Sequence, residues 1–266
     1  MRPVIPASGA FVLLIVISAP TLADDASQTP ASSPPPPPIN VWTGKGQLGY
    51  LASQGNSPAK SANAALDMSY LEKLWKHTFH LDFLYGESAS VVSAERWDAL
   101  WQSDYNFTSD YFVFGNVRYG RDLFNGFQHQ ASVTAGLGYN VFKTDATTLS
   151  VQAGVGYLWQ RPELITKNAA GIVTSRTLLP SDNTAIATFG LTYSQKLTST
   201  TTLSDSLLVN AGFSGNSLIT NNLALAVKIS TKLAVSLGYN IQDNTQPPPG
   251  LKSLDQFETV NLVYSF

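Results

Sequence analysis

From Trp42 onward, apolar and polar residues alternate along the chain. Between Ala131 and Val141 the odd positions Ala131, Val133, Ala135, Leu137, Tyr139 and Val141 are apolar, whereas Ser132, Thr134, Gly136, Gly138 and Asn140 are small or polar. The same rhythm runs through Leu149–Trp159, Leu223–Ile229 and Leu233–Ile241. A period of two marks strands, because successive side chains leave a pleated backbone on opposite faces. Read this way, the sequence predicts twelve strands, at 42–52, 59–72, 74–86, 94–108, 111–123, 128–142, 146–160, 183–196, 201–213, 218–230, 233–243 and 254–266. An even number of strands puts both ends of this region on the same side. Connections on that side are tight turns at Lys73, Ser109–Asp110, Lys143–Asp145, Leu197–Thr200 and Thr231–Lys232. Those on the other side are generally longer, and the longest, 161–182, contains two β-prone runs around Gly171 that predict a hairpin continuing the seventh and eighth strands.

Strand length and the character of the second face separate two all-β architectures. Strands of soluble sheets average ~5–6 residues, whereas tilted membrane-spanning strands need ~9–11. The predicted strands match the longer class, and their non-apolar face is largely Gly, Ser, Ala and Thr rather than the Lys and Glu of a solvated surface. The expected fold is therefore all-β, a twelve-stranded antiparallel transmembrane up-and-down β-barrel over 42–266, with apolar residues outside and small polar ones inside.

Ring placement agrees with that geometry. On the outward parity, Trp42, Tyr70, Trp75, Tyr105, Phe107, Tyr111, Tyr193, Tyr264 and Phe266 gather toward the side of the termini. Tyr50, Tyr85, Trp97, Tyr119, Tyr157, Trp159 and Phe213 gather toward the loop side. Two bands of amphipathic rings are what anchor a barrel at both membrane interfaces. Phe112, Phe114 and Phe257 fall on the inward parity, as exceptions or local plugs. The chain ends on an apolar-alternating strand, Val260 to Phe266, the kind of terminal signal read by the outer-membrane assembly machinery, and in a closed barrel it pairs with the first strand.

The N-terminus sets the address. Arg2 precedes the apolar run Ala10–Ala19, and Thr21-Leu22-Ala23 supplies a small residue at a cleavage position, so 1–23 reads as a secretory signal peptide. Residues 24–41, with Pro30 and Pro34–Pro38, read as an extended periplasmic spacer. The expected location is the bacterial outer membrane, and the expected partners are its lipid bilayer and, during biogenesis, the assembly machinery.

Composition removes other classes. Charged residues make up 13% of the 266, net charge is −2, and no Lys/Arg-rich run occurs, which excludes a phosphate-neutralising nucleic-acid binder. The absence of cysteine excludes disulfides, thiol catalysis and a lipidated N-terminus. No metal-ligand spacing or G-x-S-x-G segment is found, so neither cofactor nor enzymatic activity is expected.

Several segments together carry a family likeness: Trp42-Thr-Gly44 followed by Gly49 and Gly55-Asn56-Ser57, then Arg118-Tyr119-Gly120-Arg121-Asp122-Leu-Phe124-Asn-Gly126-Phe127, Gly136-Leu-Gly138-Tyr139, Pro247-Pro-Pro-Gly250 and Leu262-Val-Tyr264-Ser-Phe266. Over 42–266 the chain resembles the salt-induced outer-membrane protein family, a group of barrels otherwise labelled a domain of unknown function. The resemblance implies fold and location, and a link to salt or osmotic stress; its motif residues here are Arg118, Tyr119, Arg121, Asp122, Phe124 and Gly126.

The inward parity of strands two to five also collects Asp67, His80, Asp82, Arg96, Asp98, Asp104 and Arg118, whereas strands six to eight contribute small residues. One wall is charged and the other small. Two readings follow: a passage whose charges set selectivity, or a hydrogen-bonded plug in which Arg96 reaches Asp82 or Asp98 and Arg118 reaches Asp98 or Asp104. The functional expectation is a small channel or an envelope-integrity protein. The alternative class is a lipid-modifying hydrolase at the membrane interface, with the outward His129 as its base.

Overall fold

The computed structural model describes residues 40–53, 59–88, 91–123, 126–169, 173–249 and 251–266. The signal peptide at 1–23 and nearly all of the 24–41 spacer lie outside the described residues, as does Phe124. Thirteen strands are present: β1 (Val41–Ser53), β2 (Ala59–Glu72), β3 (Trp75–Ser88), β4 (Val91–Asn106), β5 (Tyr111–Asp122), β6 (Phe127–Lys143), β7 (Thr147–Lys167), β8 (Val173–Leu178), β9 (Asp182–Lys196), β10 (Thr201–Gly212), β11 (Ser217–Lys228), β12 (Leu233–Asn244) and β13 (Leu254–Ser265).

Twelve of them close an antiparallel barrel. Each pairs with its neighbour in chain order, β7 pairs with β9, and β13 returns to β1. Closure joins the last strand to the first, so that the sheet can cross a bilayer with its backbone paired around the wall, over the shortest ladder at β1–β13. The short β8 stands outside this wall. It pairs only with the upper part of β7, forming a hairpin above the barrel because β7 runs on to Lys167. The connection between β3 and β4 is shorter than alternation suggested, since both strands extend toward each other and leave only residues 89–90 between them.

The wall is greasy outside and filled inside. Large apolar residues such as Val117, Val133, Val155 and Leu237 are exposed on the outer parity. Buried residues belong to the inner one: Phe112, Phe114, Asp98, Asp104, Ser132, Thr134, Thr188 and Asn261. Phe112 and Phe114, 6% and 4% exposed, close the termini-side interior beside β6. Phe112 lies over Gly138, where any Cβ would occupy the volume of its ring. Here the small wall and the aromatic exceptions are one feature, because the missing side chain makes room for the ring.

At the turns, Lys73 takes a left-handed backbone with φ 51° in the two-residue connection from β2 to β3. Tight hairpins need such values to match strand twist, and a side chain with a Cβ takes them at a cost.

Candidate functional site: a closed lumen and a short seam

The charged residues of β2 to β5 form a connected ladder along one inner wall. Lys45 of β1 lies 3.4 Å from Asp67, and Gln47 donates to the same carboxylate at 3.5 Å. His80 donates through Nδ1 to Asp67 at 2.6 Å and lies 3.5 Å from Asp82 through Nε2. Arg96 continues the row, 3.5 Å from Asp82. A second set stands beside it: Arg118 Nε donates to Asp98 at 2.6 Å, and Gln102 donates to Asp104 at 2.8 Å. Of the partners open to each arginine in the sequence, Arg96 takes Asp82 and Arg118 takes Asp98. Opposite charges at these distances offset the cost of burial for Asp67, Asp82, Asp98 and their cationic partners, whereas Asp104 is met by an amide.

Two links cross the lumen. Arg96 Nη1 donates to Gln242 of β12 at 2.9 Å, and its guanidinium lies 5.6 Å from the ring centre of Phe257 on β13. These strands stand almost opposite β4 around the wall. Gln102 likewise reaches Gln152 of β7 at 3.2 Å, within a chain that also includes Asn116 and Thr134. Phe257, an inward exception in the sequence pattern, is the platform on which Arg96 rests.

The loop-side mouth is covered. Pro248 and Leu251, between β12 and β13, pack on Gly126, between β5 and β6, half the circumference away. A Cβ on Gly126 would stand 2.7 Å from Leu251 Cδ1 and 3.0 Å from Pro248 Cγ, and its φ of 74° is left-handed. Gly126 and Pro248, each from a motif of the family likeness, therefore meet across the opening. The β7–β8 hairpin braces this cover: Arg176 pairs with Glu163, which is 3% exposed, and donates to the Leu123 carbonyl at 2.6 Å. Asp122 is buried at the end of β5, and Arg121 beside it is exposed. Beneath the cover, a cavity among Gln130, Gln160, Asn210 and Asn244 measures about 10 Å³, room for about one water.

Outward rings form contacts at both rims. Trp42 stacks on Tyr70 at 4.6 Å, Trp75 meets Tyr105 at 5.0 Å, and Tyr264 lies 6.3 Å from Phe266 on the termini side. On the loop side Trp97 meets Tyr119 at 5.4 Å, and Tyr157 meets Trp159 at 4.8 Å. Tyr193 donates to Gln195 on its own strand. His129 stacks on Tyr119 at 6.5 Å, whereas His77, also outward, lies 2.8 Å from Ser103.

The β1–β13 closure is unlike the rest of the wall. Its ladder joins Lys45–Leu48 to Leu262–Ser265, extended by Gly44 and Phe266, which exchange two backbone hydrogen bonds at 3.0 Å. Both strands continue beyond that point, β1 to Ser53 and β13 back to Leu254, each paired on its other side. Just above the last pair, Asn63 of β2 donates to Asn261 of β13 at 2.7 Å, passing over Gly49, whose Cβ would strike both amides.

A family description fits this architecture over residues 46–266: protein of unknown function, DUF481. The chain belongs to that family. A relative in Escherichia coli (strain K12), the uncharacterized protein YdiY, is 24% identical over 223 residues, spanning 82% of this chain and 80% of that protein. Among solved structures, an outer membrane channel from Pseudomonas putida F1 is similar at TM-score 0.48 and 10% identity, over 86% of this chain and 96% of that one. The translocator domain of the autotransporter NalP from Neisseria meningitidis is similar at TM-score 0.47 and 13% identity, over 85% and 87%. This DUF481 chain is an outer-membrane β-barrel: its wall closes on itself, its exterior is apolar between two bands of rings, and its polar groups point inward.

Proposed function

We propose that this barrel is a small outer-membrane channel, closed in the conformation described above. The observation that carries this reading is the bridge from Arg96 to Gln242, with Phe257 beneath it. A stable plug needs no long, polar side chain reaching across the bore, whereas a constriction that opens is well served by one that can swing aside. In this reading Asp67, His80, Asp82, Arg96, Asp98, Asp104 and Arg118 line the path and set its ion preference. The paired rings hold the wall at depth, and Gly126 with Pro248 and Leu251 forms the cover. Signal peptide 1–23 directs export, and the terminal strand ending at Phe266 is read by the assembly machinery. No cofactor or catalysis is involved.

Planar-bilayer recording of the purified mature chain tests the proposal. Wild type is expected to pass little current with rare openings, and Arg96→Ala and Gly126→Val are each expected to raise the open fraction at least tenfold. Silence from both variants, with the barrel shown folded by heat-modifiable gel migration, removes the channel and leaves an envelope-integrity role. The salt or osmotic link is part of the same proposal: cells lacking the protein should survive hyperosmotic shift less well, and equal survival discards it. For the hydrolase alternative, the motivating feature is the place of His129 on the lipid side; lipid turnover abolished by His129→Ala would replace the channel reading.

A further inference from the structure

Among the described residues, the wall has one place where lumen and lipid approach each other without a ladder between them. Had the β1–β13 register continued, Tyr50 would face Val260 and Leu51 would face Thr259; among the described residues the ladder stops at Leu48 and Leu262. Tyr50, Leu51 and Val260 are 71%, 69% and 61% exposed, although Leu51 is on the inner parity. The Asn63–Asn261 bridge over Gly49 forms the floor of this gap.

Two further features lie on either side of it. Outside and just below is a groove of about 310 Å³ in the lipid-facing wall, lined by Gly46, Leu48, Leu66, Phe83, Leu262 and Tyr264 among others. Its floor is Gly46, where an added Cβ would meet nothing within 4 Å. The groove is continuous with the hydrocarbon of the bilayer, so what fills it is a hydrocarbon chain. Inside, Arg96 rests on Phe257, which belongs to the stretch of β13 that lacks a ladder to β1. Its Nε is buried and has no hydrogen-bond partner among the described residues, while its two terminal nitrogens are taken by Gln242 and Asp82. Arg96 thus keeps one N–H uncommitted next to Phe257, a donor that an anionic oxygen can take when the side chain turns.

We propose that the β1–β13 seam is a lateral portal for long-chain carboxylates: the carboxylate engages Arg96 in the lumen, and the acyl chain passes over the Asn63–Asn261 floor into the outer groove. With Pro248 and Leu251 packed over the axial mouth, the seam gives an amphiphile a side route between lumen and outer leaflet that places most of its chain in the apolar groove. The proposal rests on the reading of the barrel as a passage and supplies the class of molecule that uses it.

The chain has no cysteine, so a lock can be engineered cleanly. In the full-length protein reconstituted in phospholipid vesicles, a diazirine-bearing palmitate is photolysed and the labelled peptides are identified. Label should concentrate on peptides containing Gly46–Leu48 and Leu262–Tyr264, and should fall at least tenfold in Arg96→Ala and in Gly46→Phe. The double variant Tyr50→Cys with Val260→Cys, oxidised, should lose this concentrated label and regain it on reduction, which controls for misfolding. Label spread evenly over the outer wall, as from annular lipid, or unchanged by the lock, overturns the portal. The currents of Gly126→Val are read separately, so their absence beside specific labelling sinks the ion channel and not the carboxylate site.

Discussion

The β6–β7 wall and the β1–β13 seam do the same topological work with very different means. The ladder of β6 and β7 runs from Phe127 and Pro162 to Lys143 and Thr148 and is interrupted only by two irregularities. It is built of small inward residues, it receives the rings of Phe112 and Phe114, and β7 is paired along its other edge as well. The seam joins four residues of each strand and then hands over to a side-chain bridge between two asparagines. A barrel must close everywhere in hydrocarbon to satisfy its backbone, yet it need not close equally well. The weakest closure is where a molecule can enter from the side with the least disruption.

Hydrogen exchange should draw the contrast most sharply. Amides of Val133–Leu137 in β6 are expected to exchange only on global unfolding, and those of Tyr50–Ser53 orders of magnitude faster through local opening, read by mass spectrometry on the detergent-solubilised barrel. Equal protection would erase the distinction between wall and seam. Next in size, Arg118→Ala leaves the buried Asp98 carboxylate without its cation and should cost about 3–5 kcal/mol, measured by urea unfolding in lipid. Gly138→Val should cost about 1–3 kcal/mol by overpacking against Phe112. The corresponding test at the seam is Asn63→Ala, which leaves one amide unsatisfied at an already accessible place; a loss of about 1 kcal/mol is expected. A larger loss from Asn63→Ala than from Gly138→Val would reverse the comparison. Smallest is Lys73→Gly, which relieves the left-handed β2–β3 turn outside both regions and should change stability by less than about 1 kcal/mol, toward stabilisation.

The ladder between His80 and Arg96 was partly legible because its members share one parity on consecutive strands, so that hairpin register alone places them side by side. Lys45 belongs to the same group and could have been found by extending the inward parity one strand toward the N-terminus. Gln242 and Phe257 could not: they approach Arg96 across the bore from strands about 150 residues away, and no alternation within a strand encodes what faces it through the lumen. The meeting of Gly126 with Pro248 and Leu251 is of the same kind. Each segment was visible as a turn-forming motif, but their contact depends on loop paths over the mouth.

Period-two alternation, strand length and the placement of rings suffice for the barrel and its twelve strands, since each follows from local geometry and from which face meets lipid. Where the ladder of the closing pair ends, which side chains cross the lumen and what lies over the opening depend on the stagger and curvature of the closed wall, set by all the strands at once. Those long-range terms belong to no single segment, and only the folded barrel decides them.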